Sequence, residues 1–252
     1  MRGRVPRDVW FIAFIGALIY SLWQVGLLDP SRLGRFANLV PFIVQMIPPD
    51  VSLVPLILEA TYETVLMAFT GTVIGGFLSL PLAMLSSRLL FPKHVTVPFR
   101  TLLAVIRTVP SLLWALIFVI IIGLGPPAGV MAISFYTVGY LGKLFYESFD
   151  SVSKEVLEGV GAVGASQLQL LRFAIVPETA NYIISQLLFI FEYNVRASSI
   201  IGLVGAGGIG YLILALAQSL RYDGLLMCIL VILAFVMGMD AISSKIRARF
   251  LR

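Results

Sequence analysis

Long apolar runs alternate with short polar segments along the whole chain. A helix needs about 20 mostly apolar residues to cross a hydrocarbon layer of roughly 30 Å, and six segments approach or meet that length. These predicted spans are residues 10–28, 63–85, 101–124, 128–145, 180–203 and 225–242. The pattern therefore predicts an all-helical membrane protein with six transmembrane helices. The third span is the least regular, because Arg107 and Pro110 interrupt its first third.

Two connections between the predicted spans stand out by their length. Residues 31–59 are apolar but contain four prolines, which predicts a short interfacial helix followed by a proline-rich return. Residues 147–178 are the most polar stretch and are typical of a surface that meets another protein. Within them, Ser151 or Ser153 can cap a helix that the glycines at 161 and 164 end. A second short helix is expected over residues 166–173.

Composition supports a chain that lies mostly in lipid. Hydrophobic residues make up 59% of the 252 positions and charged residues 12%, whereas a soluble domain carries about 25% charged residues. If the N-terminus is cytoplasmic, thirteen lysines and arginines fall on the cytoplasmic side and three outside. This bias follows the positive-inside rule and predicts cytoplasmic N- and C-termini. The net charge of +5 is spread over these loops and does not indicate nucleic-acid binding.

Few residues suit catalysis or metal binding. The chain has one cysteine, Cys228, and one histidine, His94, so neither an intrachain disulfide nor a metal site is expected. The segment 1–28 lacks a small-residue cleavage site after its apolar stretch, and we interpret it as a retained first span rather than a signal peptide.

Residues 147–178 contain a recognisable spacing. The sequence EGVGAVG at 158–164 is followed, after nine residues, by AIVP at 174–177. It resembles the cytoplasmic loop of ABC importer permeases, whose pattern is Glu-Ala-Ala, three residues, Gly, nine residues, then Ile-x-Leu-Pro. The spacing of Glu158, Gly164 and Pro177 agrees. The departures at 159, 160, 174 and 176 keep small or apolar character.

Two further segments narrow the resemblance. Residues 191–210, FEYNVRASSIIGLVGAGGIG, and 123–130, GLGPPAGV, are similar to the phosphonate branch of these permeases, and the likeness covers roughly residues 55–250. The resemblance implies a single permease domain of type I, MetI-like architecture over residues 1–252. Its first 50 residues would add a span and an external interfacial segment to the core at 55–250.

The same resemblance implies partners in the cytoplasmic membrane of a prokaryote. These are a second copy of the chain in a homodimer, two cytoplasmic ABC ATPases and an external substrate-binding protein. Glu158, Gly164 and Pro177 would belong to the segment that couples to the ATPase. ATP and Mg²⁺ would bind the ATPase, because Gly142 and Lys143 lack the glycine spacing of a phosphate-binding loop. The implied cargo is a phosphonate, phosphite or phosphate.

Charged residues inside spans are functional candidates, because an unpaired charge in lipid costs several kcal/mol. Arg196 and Glu192 lie four apart on one helical face. They form either an anion-passing site or a structural ion pair. Asn194 either lines the path or bonds a neighbouring helix. Arg107 either contributes to an anion path or extends to the cytoplasmic interface.

Glycines mark two other places. Gly205, Gly207, Gly208 and Gly210 superficially match a dinucleotide fingerprint, but no strand precedes them. We instead expect a tight external turn near the gate. The glycines at 71, 75 and 76, with Thr72, give the second span a small-residue face that favours close helix packing.

Three alternative functions remain open from the sequence. A methionine-type amino-acid importer would share the architecture and the cytoplasmic loop. A membrane-embedded lipid enzyme would have to depend on carboxylates such as Glu59 and Glu63, the one close pair at the outer end of the second span. A passive channel would not need the segment 147–178, so deletion of that segment would leave its conduction intact.

Overall fold

The computed structural model describes the backbone of residues 7–250 and the side chains of residues 8–245. Within these ranges every regular element is helical. The chain divides into two compact units, Met1–Pro48 and Pro49–Arg252. Arg2, Arg4 and Arg252 lie outside the described residues, so the cytoplasmic location of the two termini stays a prediction.

The first unit contains three helices and a short 3₁₀ segment. Its helices are α1 (Arg7–Gln24), α2 (Pro30–Leu33) and α3 (Leu39–Met46), with the 3₁₀ segment at Gly34–Asn38. The α1 helix is apolar, but its described part is shorter than the length typical of a span. The α3 helix occupies the place where the sequence predicts the interfacial helix.

The second unit contains the remaining nine helices of the described residues. They are α4 (Val54–Ser86), α5 (Lys93–Thr108), α6 (Ser111–Ile122), α7 (Pro126–Asp150), α8 (Lys154–Gly161), α9 (Gln167–Leu170), α10 (Val176–Ile201), α11 (Gly208–Gln218) and α12 (Tyr222–Phe250). A 3₁₀ turn at Val51–Leu53 precedes α4, and a π-helical turn at Leu171–Ile175 joins α9 to α10.

The number of helices able to cross a membrane differs from the prediction. Within the described residues, four helices are long and apolar enough, and a fifth crossing results if α5 and α6 together form one span. The four contain α4, α7, α10 and α12. The predicted total of six is therefore not confirmed. The sequence also missed α11, whose 11 residues lie between the fifth and sixth predicted spans.

The third predicted span is bent by 88° between α5 and α6. Pro110 has no amide hydrogen to continue α5, and it holds Val109 in an extended conformation with ψ of 121°. The indole nitrogen of Trp114 donates a hydrogen bond to the carbonyl oxygen of Ile106 at 3.2 Å. This bond satisfies one of the carbonyls that the end of α5 leaves without a helical partner.

The predicted small-residue face of α4 packs against α7. A Cβ atom on Gly71 would lie 2.6 Å from Cγ2 of Ile133, and one on Gly75 would lie 2.7 Å from the carbonyl oxygen of Ser134. Both distances are shorter than atoms can approach without a shift. Glycine at these positions therefore lets the two helices come close enough for backbone and side-chain packing.

One end of the second unit is held by a cluster around Asp150. Its carboxylate accepts hydrogen bonds from Oγ of Ser87 at 2.8 Å and from the backbone nitrogen of Arg88 at 2.9 Å. It also pairs with Arg100, whose guanidinium lies 4.4 Å from the ring centre of Tyr146. The end of α4, the first half of α5 and the end of α7 therefore meet at one end of the bundle.

Candidate functional site

The segment predicted to couple to an ATPase forms an exposed pair of short helices. The Ser153 hydroxyl caps α8 by accepting a hydrogen bond from the Val156 nitrogen at 3.5 Å, as one of the two predicted caps requires. Glu158 lies on α8 and is exposed. The apolar side of α8 contributes Val156 and Leu157 to the core at the Asp150 end. One face of α8 therefore packs against the core, and the face with Glu158 is exposed to solvent.

The turn after α8 depends on Gly164. This residue has φ of +78°, a left-handed conformation that favours glycine. Ser166 and Gln169 then form a reciprocal capping box at the start of α9. Pro177 occupies the first turn of α10 and is exposed. All three residues of the sequence motif are therefore exposed, although Leu171, Ala174 and Ile175 between them are buried.

Arg196 is paired with two carboxylates. Its guanidinium forms an ion pair with Glu192 on the same helix and another with Asp240 on α12, the second at 2.9 Å. Glu192 is buried, and Arg196 and Asp240 are about half exposed. The sequence pointed to the Glu192 contact, whereas the contact with Asp240 across two helices is shown by the structure. The cluster carries a net charge of −1 when all three groups are ionised.

Asn194 lies on the opposite side of α10 from this cluster and is 1% exposed. Its amide nitrogen donates hydrogen bonds to Oγ1 of Thr72 and to Oγ1 of Thr137, each at 2.9 Å. Of the two roles that the sequence left open for Asn194, this geometry corresponds to the bond with neighbouring helices. The amide joins α4, α7 and α10 at one point of the core.

Arg107 lies near the end of α5, far from the first residue of that helix. The α5 helix begins at Lys93, so Arg107 is 14 residues along it, or about 21 Å. A Cβ atom on Gly139, in the middle of α7, would lie 2.9 Å from the Arg107 backbone nitrogen. The Arg107 side chain is exposed. The sequence placed this arginine near the start of its span because it missed the first two turns of α5.

The glycine turn between α10 and α11 is buried between helices. Gly205, Gly207 and Gly208 all have positive φ, and the backbone nitrogen of Gly208 donates to the Glu63 carboxylate at 2.9 Å. The next nitrogen, that of Ile209, donates to Oγ1 of Thr64 at 2.8 Å.

Two further contacts fix the same turn. The Gly205 carbonyl accepts a hydrogen bond from the Gly125 nitrogen at 2.8 Å, and a Cβ atom on Gly210 would lie 2.0 Å from the Ser199 carbonyl oxygen. Thr64 is ten residues into α4, or about 15 Å from its start. The turn is therefore packed among helices, and its positive φ values favour glycine; its place near an external gate stays a prediction. Glu63, considered above for a lipid enzyme, anchors this turn.

Three tyrosines at the level of Arg107 were not predicted from the sequence. The Tyr136 and Tyr140 rings of α7 stack with centres 6.0 Å apart, and Tyr136 stacks on Tyr193 of α10 at 5.7 Å. All three are partly exposed. The sequence does contain a pattern from which this face could have been predicted. Four polar residues lie on one face of an otherwise apolar helix, namely Tyr136, Tyr140, Lys143 and Glu147.

Residues 79–252 match the family model described as binding-protein-dependent transport system inner membrane component. The match covers more than half of the chain, which therefore belongs to this family. It is a membrane permease component of a transport system and not an enzyme.

Several curated relatives are similar over most of the chain. A putative phosphite transport permease from Stutzerimonas stutzeri, HtxC, is 34% identical and covers 92% of this chain and 83% of its own. The phosphite transport permease PtxC of the same organism is 33% identical over 97% and 90%. The phosphate-import permease PhnE of Mycolicibacterium smegmatis is 32% identical over 99% of this chain and 47% of its own.

Solved structures share the fold at lower identity. The inward-facing MetNI methionine ABC transporter aligns with a TM-score of 0.70 at 17% identity, covering 81% of this chain and all of that one. An amino acid ABC transporter solved with histidines gives a TM-score of 0.67 at 19% identity, covering 79% and 96%. The architecture is therefore that of a MetI-like ABC importer permease, as predicted.

Proposed function

We propose that this chain is the permease subunit of an ATP-driven importer for phosphite, phosphate or a phosphonate. The observation that carries the proposal is the identity of 32–34% to permeases named for phosphite and phosphate transport, each matched over more than nine-tenths of this chain. The methionine and amino-acid transporters share the fold at 17–19% identity. Phosphorus oxyanions are therefore the first substrate class to test.

The complete transporter would contain two copies of this chain as a homodimer, two cytoplasmic ABC ATPases and an external substrate-binding protein. The end of the bundle that carries Asp150 and α8 would face the cytoplasm, in agreement with the distribution of lysines and arginines. The chain would then have both termini in the cytoplasm. ATP and Mg²⁺ would bind the ATPase subunits.

Coupling would occur through α8 and the turn that follows it. Glu158 lies on an exposed helical face, while Val156 and Leu157 attach the same helix to the core. A partner that moves α8 would therefore pull on residues packed against the ends of α4 and α7. This route links an exposed docking segment to the helices that surround Arg107 and Tyr136.

Reconstitution of the complete complex tests the proposal. The tagged chain is purified in mild detergent, its ATPase partner is identified by mass spectrometry, and the complex is placed in liposomes with its binding protein. We expect ATP-dependent uptake of phosphate or phosphite and none of methionine. Uptake of methionine alone would support the amino-acid alternative, and uptake that needs no ATP would support a channel.

A charge reversal tests the coupling segment in the same liposomes. We expect Glu158→Lys to abolish uptake and to reduce recovery of the ATPase, because the reversed charge lies at the proposed contact. The variant should still insert, since Glu158 makes no buried contact. Lys93→Glu, a charge reversal at an exposed residue that starts α5 outside the segment 147–178, is the matched control and should leave uptake unchanged. Normal uptake by Glu158→Lys would contradict the assignment.

A further inference from the structure

Arg196 and Arg107, the two arginines within predicted spans, differ in whether a carboxylate pairs with them. Arg196 contacts the carboxylates of Glu192 and Asp240, so an arriving anion would meet a cluster of net negative charge. Arg107 takes part in none of the five ion pairs found within residues 8–245. Its exposed guanidinium is therefore the one of the two that can offer its planar set of donors to phosphoryl oxygens.

Arg107 stands beside the stacked tyrosines. Its backbone packs on Gly139, which lies one helical turn beyond Tyr136. Tyr136 in turn stacks between Tyr140 and Tyr193. A guanidinium and several phenol hydroxyls from three helices therefore occupy one level of the bundle.

Tyr136 and Tyr140 belong to a row of polar side chains along α7, and contact of such a row with lipid hydrocarbon is unfavourable. Tyr136, Tyr140, Lys143 and Glu147 recur at steps of four, three and four along α7, and each is at least partly exposed. Lys143 and Glu147 pair at 3.3 Å. Polar and ionisable side chains within membrane helices face a bundle interior or a water-filled cavity. The stripe is therefore expected to border water along the proposed path.

We propose that Arg107, Tyr136 and Tyr193 form the surface that contacts the oxyanion as it crosses this permease. The inference rests on the proposed function and assigns its substrate contact to the α5, α7 and α10 side chains rather than to Arg196. Phenol hydroxyls donate hydrogen bonds to anionic oxygens without adding charge. One cation with neutral donors therefore binds a phosphorus oxyanion weakly. Passage through a membrane requires binding that is strong enough for entry and weak enough for release.

Removal of single hydroxyls in the reconstituted complex tests this surface. Tyr136→Phe and Tyr193→Phe keep the stacked rings, and Tyr211→Phe, at an exposed position of α11, is the matched control. Uptake of phosphate and of phosphite, which has one oxygen fewer, is measured at saturating binding protein together with ATP hydrolysis. We expect each of the first two variants to lower uptake of at least one anion by roughly tenfold, to change the phosphate-to-phosphite ratio, and to keep stimulated ATP hydrolysis. Arg107→Gln should lower uptake of both anions.

The possible results separate this inference from the proposed function. If the unaltered complex carries none of phosphate, phosphite and a phosphonate, the proposed function fails, and a complex that carries only the phosphonate is tested for the same variants with that substrate. If it carries them and both phenylalanine variants keep its rates and its ratio, the substrate surface is refuted while the proposed function stands. Parallel loss of uptake and ATP hydrolysis, or an equal effect of Tyr211→Phe, would also overturn the inference, because it would indicate a structural role.

Discussion

At the scale of single residues, position in the bundle decides what a polar side chain does. Asn194 and Arg196 are two positions apart and point to different sides of α10. The first is buried among hydroxyls of α4 and α7, and the second pairs with a carboxylate of α12. Sequence spacing separates the two faces of α10, but it does not reveal which helix lies against each face.

The Asn194 amide should contribute to stability through its two bonds between helices. We predict that Asn194→Leu lowers the free energy of unfolding by about 1–2 kcal/mol, since bonds between membrane helices contribute about 0.6 kcal/mol on average and up to about 1.7 kcal/mol. Thermal unfolding in detergent measures the loss. Ser198→Ala is the control, because the buried Ser198 hydroxyl donates to the Asn194 carbonyl of its own helix. Equal stability of the two variants would contradict the prediction.

At the scale of elements, the end of each helix was harder to predict than its existence. The sequence placed a helix at each of the four spans that the structure supports, because apolar length is a strong signal. The start of α5 at Lys93 was missed since its first turns are polar. The α11 helix was missed because its 11 residues are too few for a span. The glycine turn is bonded to Glu63 and Thr64, 145 residues earlier in the chain, and local sequence does not indicate such a contact.

The turn between α8 and α9 tests the coupling segment without a change in charge. We predict that Gly164→Ala weakens ATPase recovery and uptake, because an alanine at φ of +78° costs about 1 kcal/mol or more. Gly159→Ala is the matched control. Neither added Cβ atom would meet another atom, but Gly159 is helical, where alanine is favoured.

Co-purification of the ATPase and ATP-dependent uptake are measured for both variants of the turn. The control should match the unaltered chain. Equal behaviour of the two variants would mean that the left-handed turn does not hold the coupling segment in place. The comparison therefore isolates backbone conformation from side-chain contact, which a charge reversal at Glu158 does not do.

At the scale of the whole molecule, charged and polar groups of the bundle divide into two sets. Arg100 with Asp150 and Arg196 with Glu192 and Asp240 join helices to one another. The groups around Tyr136 are partly exposed and include a cation outside the five ion pairs of the described side chains. We therefore assign the first set to assembly and the second to transport.

This division predicts how the α10–α12 ion pair responds to mutation. Arg196→Met alone leaves two carboxylates without their cation, and Asp240→Leu alone leaves Arg196 with Glu192. An unpaired charge within a membrane helix costs several kcal/mol, so removal of one partner should cost more than replacement of both by apolar groups. We expect each single variant to lower the unfolding temperature of the complex, and the double variant to lose less than the two single losses combined. A double-mutant cycle in detergent measures the coupling.

Transport by the same variants separates an assembly role from a substrate role. If the cluster serves assembly, any Arg196→Met complex that is recovered intact keeps the phosphate-to-phosphite uptake ratio of the unaltered complex. The ratio is the informative quantity, because instability lowers the uptake of both anions alike and leaves their proportion unchanged. A changed ratio at full stability would instead place Arg196 in contact with the anion and contradict the assignment of its cluster to assembly.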